Sequence, residues 1–173
     1  MNMRPSWAHD QPSDAPDEAV QTAHAIYQDH LDAVSEAIWN RDFDAVLGLM
    51  HYPHHRSIGP RVVVIDDPAV LAGQAAAFRD SLEGLRATGY VRVCREADFD
   101  GPDRIVGRHE TFIVRGGTYQ VDPYRAKLTL IRRDGLWLTS DCHVPDLPPA
   151  VKNYPLARQP YPDRRDSMTG LKP

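Results

Sequence analysis

Apolar side chains recur every three or four residues over two segments near the start of the chain, a spacing that predicts amphipathic helices. The first predicted helix covers about 16–39, with Asp14 as its N-terminal cap. A short second helix is predicted over 43–50, because Asp42 is a favourable cap and Pro53 forces the chain out of helical conformation. The chain therefore begins with two helices joined by a tight connection.

A β-branched stretch at 61–65 predicts a strand, and the Asp-Pro pair that follows it predicts a third helix over about 68–89. Downstream, apolar and polar residues alternate, which is typical of half-buried strands. The predicted strands cover about 90–99, 105–114, 119–132 and 136–143. Helices followed by an antiparallel meander predict an α+β fold in which three N-terminal helices cover one face of a curved sheet.

Proline and polar residues dominate both ends of the chain, so we predict a flexible arm over 1–16 and a proline-rich tail over 146–173. The tail still carries apolar residues, which favours extended chain lying on its own domain or on a partner subunit. A single domain over 17–145 remains between them, and a chain of 173 residues is long enough to build one full core.

Charge and cysteine content narrow the functional classes. The 24 acidic and 20 basic side chains are interspersed, which argues against nucleic acid or a membrane surface as a partner. Two cysteines are too few for a secreted disulfide scaffold, and no apolar run reaches the length of a membrane span. We therefore expect a cytoplasmic protein without a cofactor.

Two local patterns resemble those of the NTF2-like superfamily, the cystatin-like cone fold of the SnoaL-like polyketide cyclases and ketosteroid isomerases. Residues 37–46, AIWNRDFDAV, are similar to the exit of the family's first helix, and 132–138, RRDGLWL, to its hairpin into the last strand. The resemblance covers about 17–145 and implies a cone whose cavity lies between helices and sheet. Because this fold hosts isomerases, dehydratases and non-enzymatic binders, function has to be argued from the cavity.

Two-residue turns at Gly116-Gly117 and Asp134-Gly135 set the register of the last three strands. This register places Leu130 opposite Thr139, and counting on places Leu128 opposite Asp141. Residues of equal parity then share the face beneath the helices. The polar and aromatic members of that face are His109, Thr111, Tyr124, Trp137, Asp141 and His143.

Asp141, His109 and Tyr124 are the candidate catalytic residues. A carboxylate or imidazole in an apolar cone can move a proton, and a tyrosine hydroxyl can polarise a carbonyl group. The alternative interpretation is a buried polar pair in which Asp141 and a histidine satisfy each other. Thr111, Trp137 and His143 are candidate ligand contacts on the same face.

Three imidazoles lie within the five residues 51–55, HYPHH, but Pro53 disrupts helical spacing and no cysteine or carboxylate completes a ligand set, so we predict no metal site. In the resembled family this segment borders the mouth of the cavity. That resemblance makes His54, His55 and Arg56 candidate ligand contacts. Tyr27 and His30 of the first helix are further candidate ligand contacts, because they could line the cavity from the helix side.

Two functional classes therefore remain open, with a third possibility beside them. The first is a module that binds a small, largely apolar ligand carrying a carbonyl or carboxylate group. The second is a cofactor-independent isomerase, cyclase or dehydratase with an aspartate or histidine base. The third is a purely structural dimerisation domain. We expect a homodimer through the outer sheet face, where Phe112, Val114, Ile131 and Leu138 lie among charged residues.

Overall fold

A computed structural model describes residues 21–151 and contains three helices packed on a sheet. The helices are α1 (Ala23–Trp39), α2 (Phe43–Gly48) and α3 (Pro68–Gly84). Their caps follow from the sequence: the side chains of Thr22, Asp42 and Asp67 each accept a hydrogen bond from a backbone N–H of the first turn. Thr22 thus starts α1 later than expected, and the predicted cap Asp14 lies outside the described residues.

The sheet has seven strands, and its core order is β2-β1-β7-β6-β4-β3, with β5 paired to β4. All neighbours run antiparallel except β1 and β7, which run parallel. The strands are β1 (Met50–Ile58), β2 (Arg61–Ile65), β3 (Gly89–Phe99), β4 (Arg104–Arg115), β5 (Thr118–Tyr119), β6 (Tyr124–Arg133) and β7 (Leu136–Val144).

β1 is a strand that the sequence analysis missed, and the single strand predicted over 119–132 is divided into β5 and β6. The segment after α2 was interpreted as the exit of a helix, but it forms a strand that includes Pro53. This strand pairs with β2 on one side and β7 on the other, so its residues alternate between the two faces of the sheet. His54 is buried on the helix side, whereas His55 is exposed on the outer side.

The register predicted from the two turns is confirmed next to them. Arg115 pairs with Thr118, and Leu130 pairs with Thr139. Beyond this point a bulge interrupts β7, because Ser140 is an extra residue and Asp141 pairs with Thr129 instead of Leu128. The Ser140 hydroxyl lies 2.6 Å from Asp141 Oδ2 and 3.3 Å from Thr129 O, and its single proton is shared between these two acceptors. The bulge therefore exchanges the faces of every later residue in the strand.

Tyr27 of α1 ties the helix layer to the sheet. Its hydroxyl donates to Gly107 O (2.9 Å) on β4 and accepts from Leu128 N (3.2 Å) on β6, so it bridges two neighbouring strands. The ring lies so close to β4 that a Cβ at Gly107 would be 2.5 Å from Tyr27 Cε2. Glycine is thus required at this position by the approach of the tyrosine ring.

Core residues fall into two clusters, one around α1 and the other reaching from α1 to α3 and the segment after β7. Of the predicted tail, the described part forms a 3-10 turn, Pro149–Val151, and buries Leu147 and Val151 in the second cluster. These residues cover the end of the cone near α3. Among residues 21–151, no helix has the length and apolar character needed to cross a membrane.

Candidate functional site

A cavity of about 110 Å³ lies between the helices and the inner face of the sheet. Its walls come from all three helices, from five strands and from the segment after β7. The apolar lining residues are Val34, Ile38, Val46, Met50, Ile58, Leu71, Ala75, Phe78, Ala126, Leu128, Val144, Leu147 and Val151. The polar and aromatic lining residues are His54, Arg56, Tyr90, Arg92, His109, Thr111, Tyr124, Thr139 and Cys142.

Two arginines line the cavity, and no aspartate or glutamate within 21–151 does. Arg92 is 8% exposed; its Nε donates to Ser35 Oγ and its Nη2 to Leu31 O, both at 2.8 Å. Arg56 is half-buried, and its Nη1 donates to Gln74 Oε1 at 3.4 Å. The guanidinium group of Arg92 therefore brings a positive charge to the wall of the cavity.

His109 has a defined tautomer because of its contact with Tyr27. Its Nδ1 lies 2.9 Å from the Tyr27 hydroxyl, whose single proton is donated to Gly107 O. All these contacts are satisfied when His109 Nδ1 carries the proton and donates it to the tyrosine oxygen. Burial, reinforced by the charge of Arg92, lowers the pKa of His109 to about 3, so the ring is neutral at physiological pH.

His54 and His30 both contact Thr139, the first at its backbone carbonyl oxygen and the second at its side-chain hydroxyl. His54 Nδ1 donates to Thr139 O at 3.2 Å, and His30 Nε2 contacts Thr139 Oγ1 at 2.7 Å. Burial is the main cause that lowers the pKa of each ring to about 4, assisted by the charge of Arg56 at His54 and of Arg92 at His30. Both imidazoles are therefore neutral, and only His54 lines the cavity.

The aromatic part of the lining contains two tyrosines. Burial raises the pKa of Tyr124, whose hydroxyl is hydrogen-bonded to the Thr111 side chain, and it also raises the pKa of Tyr90. The Tyr90 ring packs edge-on against Phe78 at 5.2 Å and lies 5.6 Å from the Arg92 guanidinium carbon. Both phenols remain protonated and can donate a hydrogen bond to a ligand.

The structure brings five of the predicted site residues together in the cavity: His54, Arg56, His109, Thr111 and Tyr124. Tyr27 and His30 are buried beside the cavity without lining it. Trp137 packs at the side of the sheet, 6.3 Å from the Phe99 ring and 5.5 Å from the Arg132 guanidinium carbon. Of these three residues, Tyr27 and His30 contact the lining residues His109 and Thr139.

The inward placement of Asp141 and His143 was wrong. The bulge at Ser140 turns both residues to the outer face, where the Asp141 side chain is 50% exposed and lies 3.6 Å from His55 Nδ1. His143 Nδ1 lies 2.6 Å from Ser57 Oγ on the same face. The predicted pairing of Asp141 with a cavity histidine is consequently absent, and His55 also lies outside the cavity.

Arg92, Tyr90 and Cys142 are cavity residues that the sequence analysis missed. Cys142 faces inward because of the Ser140 bulge, which the hydrophobic pattern does not reveal. Arg92 pairs with Thr111, and this pairing would have identified it as inward-facing. The alternation of apolar residues did not reveal this, because it suggests that Val91 and Val93 face inward. In the structure Val91 is instead 48% exposed.

The outer face carries the charged pairs of the sheet. Among them are Arg95 with Glu110 (2.7 Å) and Arg108 with Glu96 (2.6 Å). Phe112 packs 5.8 Å from the Tyr119 ring and 5.9 Å from the Arg95 guanidinium carbon. A homodimer through this face stays a prediction. Within residues 21–151, no group of three His, Cys, Asp or Glu side chains could hold a metal ion.

Comparison with known proteins gives structural matches only, since neither family models nor curated proteins match the sequence. An NTF2-like protein of unknown function from Shewanella oneidensis is 13% identical, with 68% of this chain and 94% of that chain covered and a TM-score of 0.52. An NTF2-like protein with a cystatin-like fold from Novosphingobium aromaticivorans is 14% identical, with coverage of 76% and 88% and a TM-score of 0.52.

A third match is a protein of unknown function with a cystatin-like fold from Nostoc punctiforme, 12% identical, with coverage of 71% and 91% and a TM-score of 0.52. At these identities the likeness establishes the architecture alone. The chain has the NTF2-like, cystatin-like fold, and the α+β cone predicted from the sequence is confirmed.

Proposed function

We propose that this protein binds a small, largely apolar molecule through a carboxylate group in the cavity. The observation that carries the proposal is the charge of the lining, which includes two arginines and, within 21–151, no acidic residue. Arginine binds carboxylates in a planar, bidentate geometry that few other side chains offer. The remaining wall is mostly aliphatic or aromatic and suits the body of such a ligand.

Arg92 is the residue expected to hold the carboxylate. Within the described chain its partners are neutral, namely two oxygen atoms and the Tyr90 ring, no carboxylate lies within 4.0 Å, and its Nη1 makes no hydrogen bond. A buried guanidinium without an opposite charge is costly, because desolvation is not offset by an ion pair. A ligand carboxylate at this position would supply the missing charge.

The size of the cavity limits the ligand. An apolar protein cavity of about 150 Å³ is known to accommodate benzene, and this cavity measures about 110 Å³. Because this cavity is smaller than one that holds benzene, we expect the apolar body of the ligand to have about the size of a short branched chain, with a single ring as the upper limit.

The enzymatic alternative is less well supported than binding. Asp141 is on the outer face, and the lowered pKa values of His54 and His109, about 4 and about 3, make both rings weak bases at neutral pH. A general base works best when its pKa lies near the operating pH. In that alternative, His109 and Tyr124 remain the catalytic candidates.

Calorimetric titration of the full chain tests this proposal. Isovalerate, benzoate and cyclohexanecarboxylate are the acids, and benzamide is the neutral control of the same shape as benzoate. We expect at least one acid to bind, and benzoate to bind at least about tenfold more tightly than benzamide because it forms charge-assisted hydrogen bonds. Equal binding of benzoate and benzamide, or no binding of any acid, would overturn the proposal.

A further inference from the structure

We propose that the ligand of this cavity carries a hydroxyl group as well as a carboxylate, and that this hydroxyl donates a hydrogen bond to Nε2 of His54 or of His109. The inference rests on the proposed function, because it names the ligand class more narrowly. It also rests on separate observations, namely the hydrogen bonds that fix which nitrogen of each ring is protonated.

In His54 the assignment follows from a single contact. Its Nδ1 lies 3.2 Å from Thr139 O, and a carbonyl oxygen can only accept a hydrogen bond. The proton of the neutral ring is therefore on Nδ1. The Nε2 atom is left with its lone pair free on a side chain that is 2% exposed and lines the cavity.

In His109 the same result follows from Tyr27, which acts as a positioning residue. The tyrosine proton is donated to Gly107 O at 2.9 Å, and Leu128 N donates to the tyrosine oxygen at 3.2 Å. His109 Nδ1, at 2.9 Å, completes the arrangement as a second donor to that oxygen. The tyrosine thereby leaves His109 Nε2 as the acceptor on a side chain that is 3% exposed.

Neither Nε2 atom has a hydrogen-bond partner among residues 21–151, although both rings line the cavity. Each Nε2 lone pair is therefore available to a ligand in the cavity that offers a hydrogen-bond donor. The lowered pKa values of both rings keep them neutral, so they remain acceptors at physiological pH. The cavity thus combines guanidinium donors for an anion with imidazole acceptors for a hydroxyl group.

Titration calorimetry with matched probes tests the hydroxyl contact. The probes are 3- and 4-hydroxybenzoate, the corresponding methoxybenzoates, and benzoate. We expect at least one hydroxybenzoate to bind about tenfold more tightly than its methyl ether, since the ether cannot donate to an imidazole. If benzoate binds but both hydroxybenzoates bind no better than their ethers, the inference fails while the proposed function stands.

Two variants locate the contact. His109→Phe and His54→Phe each remove one acceptor, and at least one of them should abolish the preference for hydroxyl over methoxy while benzoate still binds. The Gln variant at the same position keeps an acceptor and should restore part of the preference. A preference that survives both Phe variants would contradict the inference.

Histidine ¹⁵N NMR of the full chain provides a readout that needs no ligand. We expect His54 and His109 to be neutral at pH 7 with the proton on Nδ1, and Tyr27→Phe to shift His109 towards the Nε2-protonated form. Protonated rings, or Nε2–H tautomers in the unmodified protein, would overturn the inference. Because this measurement is independent of benzoate, it separates failure of the inference from failure of the proposed function.

Discussion

The two faces of the sheet differ in whether their arginines are paired with carboxylates. On the outer face Arg95 and Arg108, from adjacent strands, each meet a glutamate at 2.7 Å or less. On the inner face Arg92, from the same strand as Arg95, meets no carboxylate within the described chain, and its contacts are a hydroxyl, a carbonyl oxygen and the Tyr90 ring. Exposed pairs contribute little to stability, so the outer arrangement can be explained by solubility and local order.

The inner arrangement needs another explanation, because a buried cation without an anion is costly. The cost is understandable if the missing anion belongs to a ligand. The buried arginine that lacks an opposite charge therefore indicates the ligand site, although the exposed face carries more charged residues.

Replacing Arg92 has the largest expected effect on binding. Arg92→Met keeps most of the side-chain length but removes the guanidinium group, so benzoate affinity should fall on the order of 100-fold. The free energy of unfolding should change by no more than about 1 kcal/mol, because the variant also removes the desolvation cost of the buried charge. Calorimetry and thermal denaturation measure the two quantities.

Arg108→Met is the matched control for this prediction, since it removes an arginine from the outer face of the neighbouring strand. Benzoate affinity should stay within about twofold of the unmodified protein because exposed charges contribute little at this distance. An equal loss of affinity in both variants would show that net charge, and not the buried guanidinium, governs binding.

The second prediction concerns the contact that shapes the inner face. Gly107→Ala places a methyl group 2.5 Å from the Tyr27 ring and should lower the free energy of unfolding by about 2 kcal/mol. Gly73→Ala is the control within α3, where nothing lies within 4 Å of the added methyl group. That variant should gain up to about 1 kcal/mol from helix propensity. Urea denaturation measures both, and similar losses would contradict the close approach of Tyr27.

The third prediction is a loss of stability in acid. His54 has a folded-state pKa of about 4 against an ordinary value of 6.5, so between these pH values the unfolded chain binds a proton that the folded chain does not. Stability should therefore fall as pH decreases through this window, by up to about 1.4 kcal/mol per pH unit for this histidine. His54→Gln should make the decline shallower by that amount in urea titrations at pH 4 to 7.

His55→Gln serves as the comparison, because it changes an exposed histidine of the same strand. If the two variants altered the slope equally, burial of His54 could not be its cause.

The smallest effect is expected at Asp141. Asp141→Asn lies on the outer face and keeps an oxygen that can accept from Ser140, so stability should change by less than about 0.5 kcal/mol. Benzoate affinity should be unchanged. A marked loss of affinity with unchanged stability would restore Asp141 as a site residue and would contradict the register of β7.

Much of the fold could be predicted from the sequence because local signals specify it. The caps Asp42 and Asp67, together with the two glycine-containing turns, specify helices and hairpins through short-range geometry. The same turns correctly placed His109, Thr111 and Tyr124 on the inner face, because parity is preserved along β4 and β6.

The rest of the site depends on interactions between distant residues. The extra residue at Ser140 is stabilised by Thr129 of the neighbouring strand, and nothing in the local pattern indicates it. Arg92 is held by Ser35 and Leu31 of α1, which lie 57 and 61 residues earlier in the chain, so a local periodicity does not reveal the contact. Pro53 was interpreted as a helix end alone, although it also lies inside a strand.

The most direct measurement of the central claim is a crystal structure of the full chain grown with benzoate. We expect a ring in the cavity between helices and sheet, with the carboxylate within hydrogen-bond distance of Arg92 Nη1. Benzoate bound only on the outer face, or bound in the cavity with its carboxylate away from both arginines, would contradict it.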